Sequence, residues 1–145
     1  MKIEIKKLDG NAVLPERGSE YAAGYDLFSA SQDEIKIAPH ETVLIGTGLS
    51  IAIPEGYFGG IYARSGLSTK EGLRPANCTG VIDADYRGEI KVALHNDSDT
   101  ERIVVPGQKV AQLIIQPFME CDFQLSDELP ETKRGEGGFG STGKL

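Results

Sequence analysis

Asp83 stands in Gly80-Val81-Ile82-Asp83-Ala84-Asp85-Tyr86-Arg87-Gly88-Glu89, directly after small and apolar residues that would hold its carboxylate in a defined, partly buried position. A carboxylate so placed can serve as a general base. Asp85, two residues on, faces the same way if the segment is extended, where it would assist Asp83; otherwise it forms a turn. A hairpin whose Asp and Gly residues only make the turn accounts for the same spacing.

Ala63-Arg64-Ser65-Gly66-Leu67-Ser68 sets a guanidinium, a hydroxyl and an unhindered amide in succession. Arginine clamps phosphate oxygens bidentately, and glycine lets the backbone come close. Taken alone, the same triplet reads as an ordinary surface turn. Asp26 lies inside the apolar segment Ala22-Ala23-Gly24-Tyr25-Asp26-Leu27-Phe28, where a carboxylate is costly unless paired or hydrogen-bonded. It is either a buried acceptor or an indirect contact to a metal ion. Gln112, in the core-like run Val110-Ala111-Gln112-Leu113, also requires a partner.

Five glycines punctuate the last eleven positions, from Gly135 to Leu145, and such a segment packs no strand by itself. Its composition fits a frayed terminus. Phe139 among the glycines, with Arg134, Ser141 and Thr142 nearby, fits instead an arm that orders over a nucleotide. Gly138 to Lys144 also matches the start of a P-loop, G-x-x-x-x-G-K. The match fails, because Leu145 stands where the metal-binding hydroxyl is needed and no helix follows.

The elements that must position these groups are short. The chain has 145 residues with 18 Gly and 7 Pro, against about 17 of the two expected from average usage. That excess argues against a helical bundle. The net charge of −7 excludes a general basic face for polyanions, so a bound anion must be held locally. A chain this long makes one core without staples. Cys78 and Cys121 lack metal-site spacing and read as buried or partly buried free thiols. The opening MKIEIKKLDG is no signal peptide and no long apolar run occurs, which gives the expectation of a cytoplasmic protein.

Ile3/Ile5, Ile35/Ile37, Leu49/Ile51/Ile53, Tyr57 to Tyr62 and Val110 to Ile115 read as strands, separated by Gly and Pro turns. Ile90, Val92 and Leu94 alternate, and the run through His95 to Asp99 into Arg102 to Val105 describes a hairpin. One short helix is expected at Ser68 to Glu71, ended by Gly72 and Pro75. The expected class is all-β, a sandwich or jelly roll over residues 1–129, followed by a flexible arm over 130–145.

Taken in order, AAGYDLFSA, ARSGLS, GVIDADYRGEI, GQKVAQLII and RGEGGFGSTG resemble the five ordered motifs of the trimeric deoxyuridine triphosphatases (dUTPases). The resemblance runs from about Ala22 to Gly143. It implies a distorted jelly-roll subunit, a homotrimer with sites between subunits, and Mg²⁺-dependent hydrolysis of dUTP to dUMP and pyrophosphate. That activity would limit uracil in DNA and supply dUMP for thymidylate synthesis.

By that resemblance, Asp83 activates the attacking water and Tyr86 lies against the deoxyribose. Backbone groups between Asn77 and Lys91, with Gly80, Val81 and Ile82, read uracil. Arg64, Ser65, Gly66 and Gln112 approach the phosphates, and Asp26 holds a water of the Mg²⁺ ion. The arm closes over a neighbouring subunit's site, with Phe139 on uracil and Arg134, Gly140, Ser141 and Thr142 toward the phosphates. Ala63, Ser68 and Lys109 depart from the commonest family residues without removing a reacting group, and Asn77 stands at a position the family also fills with glycine. Two other readings share the fold: a dCTP deaminase, which lacks this arm, and a dUTPase-like regulator gated by nucleotide. Neither nucleic acid nor membrane is an expected partner.

Overall fold

The computed structural model describes residues 1–138. Its strands are β1 (Glu4–Lys7), β2 (Glu16–Arg17), β3 (Tyr25–Phe28), β4 (Ile35–Ile37), β5 (Thr42–Gly46), β6 (Leu49–Ala52), β7 (Tyr57–Tyr62), β8 (Leu73–Pro75), β9 (Gly80–Ile82), β10 (Lys91–Asn96), β11 (Arg102–Val104) and β12 (Lys109–Pro117). One helix, α1 (Ser65–Glu71), interrupts them. The architecture is the expected β-sandwich of jelly-roll type.

Pairing is nested. β5 lies antiparallel to β10, β4 to β11 and β3 to β12, as though one long hairpin had been rolled up. The largest sheet runs in the order β2-β3-β12-β7-β9, with β9 at its edge. β8 extends the β5-β10 ladder, and β1 pairs with β6.

Alternation explains the burial. Along β10, Val92, Leu94 and Asn96 turn inward while Lys91 faces water. Leu27, Ile37, Ile45, Ile51, Ile61, Leu73, Ile82, Val92, Leu94, Val104 and Leu113 bring every sheet into one apolar cluster. Each such side chain stabilises the fold by about 1.5–3 kcal/mol through removal from water.

The expected hairpin over Glu89 to Val105 does not form. β10 pairs with β5 and β8, whereas β11 pairs with β4. Asn96 explains the divergence. Its fully buried amide donates to the carbonyls of Ile37, Ala38 and Thr100 at 3.0, 3.2 and 2.8 Å, and its Oδ1 accepts from Ser98 N at 3.0 Å. The turn is thereby tied to the end of β4 instead of folding β11 back on β10.

Helix α1 begins at Ser65, earlier than its expected start at Ser68, and Gly72 closes it at φ 71°. Arg64 is its extended N-terminal flank, and Leu67 anchors it in the core. Cys78 and Cys121 are free thiols, but both are exposed. Cys78 sits on a tight turn whose amide donates to Pro75 O at 3.1 Å, so its side chain is carried outward. The last strand ends at Pro117, and residues 118–138 form no helix or strand, with Phe123, Leu125 and Leu129 exposed. Among the described residues, no helix is long and apolar enough to cross a membrane.

Candidate active site

A cavity of about 320 Å³ opens beside the edge strand β9. Asn77, Gly80, Val81, Ile82, Asp83, Tyr86 and Lys91, all singled out in the sequence, line it. Glu89 and the neighbouring Ile90 also line it, as do Leu44 and Pro75, which the sequence did not mark as site residues because β5 and β8 reach the cavity only through their pairing with β10. β9 pairs on one side with β7, so its other edge carries backbone N–H and C=O groups outside any ladder. Such an edge matches the donors and acceptors of a planar heterocycle without using a charged side chain.

Beyond β9 the chain makes a turn closed by Tyr86 N donating to Asp83 O at 3.1 Å. Asp83 is exposed rather than partly buried, and the segment is a turn rather than extended, so Asp83 and Asp85 are not aligned as neighbours on one strand face. Tyr86 is held firmly. Its hydroxyl donates to Glu89 O at 2.9 Å, and a Cβ at Gly88 would run into its ring. The segment from Asn77 to Lys91 is not a laddered hairpin, since β9 pairs with β7 and β10 pairs with β5 and β8.

A second group of predicted residues gathers on β3, β12 and the end of β7. Asp26 is buried, as a carboxylate within an apolar strand must be if it is paired. Its Oδ1 accepts from Arg64 Nε at 2.9 Å, and its Oδ2 lies 2.7 Å from Lys109 Nζ. A β-bulge in β12 between Lys109 and Ala111 accompanies this approach, and Lys109 also lies 5.6 Å from the Phe28 ring centre. Lys109 entered the sequence reading only as a departure from arginine. Its ion pair was missed because the bulge that aims it has no sequence mark.

Gln112 is opposite Asp26 on β3 and Tyr62 on β7, and its Nε2 donates to Ala63 O at 2.9 Å. It therefore fixes the backbone just before Arg64. Gly24 leaves the space this requires, since a Cβ there would overlap the Gln112 amide. Ser65 and Gly66 form the first turn of α1, where amides lack intrahelical acceptors. Among the described residues, nothing beyond its chain neighbours and the helix's own backbone lies within 4 Å of where a Gly66 Cβ would stand, so approach from outside is open.

The two groups lie at opposite ends of β7. Ile82 pairs with Gly59, which puts the Asp83 turn beside the start of that strand, while Arg64 follows its end. The separation along the strand is on the order of 20 Å. The Arg64 guanidinium also reaches toward β3, on the side of β7 away from β9. One copy of the chain therefore does not bring Asp83 and Arg64 onto the same small ligand.

Arg134 Nε donates to Gly137 O at 2.6 Å within the exposed arm. Phe139, Gly140, Ser141 and Thr142 lie outside the described residues. Among the described residues, no three His, Cys, Asp or Glu side chains gather into a metal site.

A family model described as dUTPase matches residues 10–143, which takes in both groups and the terminal arm. The chain belongs to the dUTPase family. It is 47% identical to a deoxyuridine 5'-triphosphate nucleotidohydrolase of Hydrogenobaculum sp., over 99% of each chain. It is 48% identical to the protein of that name from Oryza sativa, covering 97% of this chain and 80% of the rice protein. The solved dUTPase of Staphylococcus bacteriophage 80alpha with dUPNHPP superposes at a TM-score of 0.89, with 32% identity and 98% of each chain covered. A mutant dUTPase from phage phi11 of S. aureus, solved for the coordination of a structural Mg(II) ion, gives 0.81 at 29% identity, over 90% of this chain and all of the other.

Proposed function

We propose that the chain hydrolyses dUTP to dUMP and pyrophosphate. The observation that carries this is the cavity at the free edge of β9, bounded by the fixed Tyr86 ring and the Asp83 turn, in a chain of this family. Uracil presents alternating donors and acceptors along one edge, which the backbone of Gly80, Val81 and Ile82 meets. The Tyr86 ring packs where a 2′-hydroxyl would project, excluding ribonucleotides by overlap and by leaving that hydroxyl unpaired.

Asp83 accepts a proton from the water that attacks the α-phosphorus in line with the departing pyrophosphate. Arg64, held by Asp26, neutralises phosphate charge, and Ser65, Gly66 and Gln112 define the path of the chain around it. Arg134, Phe139, Gly140, Ser141 and Thr142 of the arm close over the nucleotide and exclude water. Positioning and charge neutralisation supply most of the rate.

Mg²⁺ bound to the triphosphate would supply further neutralisation of its charge, and Asp26 is the residue that would hold it. Asp26 suits contact through water, since its two oxygens offer about four lone-pair sites and Arg64 and Lys109 occupy only part of that capacity.

The assembly we propose is a homotrimer in which the β9 cavity of one copy meets the Arg64 group of another. The split along β7 supports sharing between copies. So do exposed Phe123 and Leu125 beyond the last strand and an apolar groove of about 520 Å³ lined by Ile3, Ile5, Leu14, Tyr25 and Ile51. The division into a β domain over 1–129 and an arm over 130–145 belongs to the same proposal.

Pyrophosphate release from dUTP, dTTP, dCTP and UTP, with and without Mg²⁺, tests the function. Release confined to dUTP with Mg²⁺ is expected. Ammonia from dCTP, or equal hydrolysis of all four nucleotides, would overturn it.

A further inference from the structure

The Asp83 turn is exposed; the β7–β9 ladder fixes its entry at Ile82, but β9 and β10 do not pair with each other, so no ladder fixes its returning limb from Arg87 to Ile90. That limb is held by Gly46-Thr47-Gly48-Leu49-Ser50, running from the end of β5 through a two-residue connection into β6, which belongs to none of the motif segments. Glu89 Oε1 accepts from Gly48 N at 3.0 Å. Ile90 O accepts from Thr47 Oγ1 at 2.8 Å, and Ile90 N donates to Leu49 O at 2.8 Å. Ser50 Oγ donates to Arg87 O at 2.7 Å. The returning limb of the loop is thus bound at Arg87, Glu89 and Ile90.

Both glycines of this segment are required by this contact or its surroundings. A Cβ at Gly46 would stand 2.5 Å from Glu89 Oε1, displacing the carboxylate. Gly48 has φ +65°, and a Cβ there would lie 2.8 Å from Asp9 Cβ and 3.0 Å from Ala12 Cβ. Thr47 is fully buried, so its hydroxyl needs the Ile90 carbonyl.

We propose that Glu89 and Thr47 are positioning residues for the reaction, forming a clasp that holds the Asp83–Tyr86 turn at its working distance. Glu89 joins both ends of this device, since its carboxylate binds Gly48 N and its carbonyl receives the Tyr86 hydroxyl. Its Oε2 lies 3.5 Å from Lys91 Nζ, which keeps the carboxylate from swinging outward. Releasing the clasp lets Tyr86 and Asp83 drift together, and a displacement near 1 Å costs about 10²-fold in rate.

The clasp rests on the dUTPase reading, and its test separates reach from charge. E89Q keeps the acceptor at the same reach, whereas E89D keeps the charge but is one methylene short of Gly48. With dUTP, below the melting temperature of each variant, kcat is expected to fall about 10- to 100-fold in E89D with KM changed little, and E89Q to stay within about 5-fold of the wild type. T47V, isosteric but without the hydroxyl, lowers kcat in the same sense. Faster hydrogen exchange at the Gly48 amide in E89D gives a readout independent of turnover. Full turnover in E89D, or loss in E89Q with retention in E89D, overturns the clasp. A matching fall in stability and kcat for both Glu89 variants would make Glu89 merely structural. A wild-type chain that leaves dUTP intact removes the underlying reading instead.

Discussion

Arg64 Nε donates to Asp26 Oδ1 at 2.9 Å, while Lys109 Nζ holds the other carboxylate oxygen at 2.7 Å. The guanidinium proposed to meet phosphate is therefore oriented before any nucleotide arrives. A cation already fixed in its rotamer loses less freedom on binding than a free one. The carboxylate that fixes it is the one proposed to face the hydrated metal ion, so the two roles are mechanically joined.

Separation of Asp83 from Arg64 along β7 predicts complementation between chains. Asp83→Asn is expected to lower kcat by about 10²–10⁴ while dUTP still binds, and Arg64→Ala to be inactive through weakened phosphate contact. Refolding the two variants together restores about a quarter of the sites, as random mixing of closed oligomers gives. A mixture no more active than its components would place both residues on the same chain's site.

Asp26→Asn removes the charge shared by Arg64 and Lys109. Their side chains are 34% and 39% exposed, so water offsets part of the loss and the cost is about 1–2 kcal/mol rather than that of a fully buried pair. For a chain of this size, Tm falls by roughly 2–8 °C. Calorimetry showing an unchanged Tm would mean that this pairing does not stabilise the fold.

Gly135 and Glu136 are exposed, and the arm before them forms no strand. Deleting residues 135–145 is expected to cost most of the turnover while Tm shifts by less than about 2 °C. Thermal scans that fall together with activity would show the segment to be part of the folded core.

Arg74 on β8 donates from Nε and Nη2 to both carboxylate oxygens of Asp97, in the turn after β10. This hydrogen-bonded pairing holds the Asp97 carboxyl below its ordinary range and raises Arg74. A depressed carboxyl contributes stability above its unfolded pKa, near 3.9, and loses it as pH falls through the folded value. Asp97→Asn should therefore be slightly less stable than the wild type near neutral pH, with the gap closing below about pH 4. A gap that widened on acidification would contradict the pairing.

Local patterns made part of this legible. The Tyr57–Tyr62 strand, the alternation of β10 and the need of Asp26 for a partner follow from neighbouring residue types. The fate of the chain after Asn96 does not, because turn formers signal a reversal without naming the strand that follows. That information resides in the contact of Asn96 with Ile37, 59 positions away. The same limit hid Lys109 from Asp26 and Glu89 from Gly48. It also made Asp83 look partly buried, since apolar predecessors describe β9 and not the turn beyond it.

The nested pairing of β5 with β10, β4 with β11 and β3 with β12 imposes an order on folding. Joining the innermost pair shortens the effective loop that the next must close, and each closure lowers the entropic barrier of the one outside it. The outermost ladder, which seats Asp26 opposite Gln112, has the longest loop to close. The groups proposed to meet phosphate thus sit on the ladder whose closure gains most from the inner pairs being formed first.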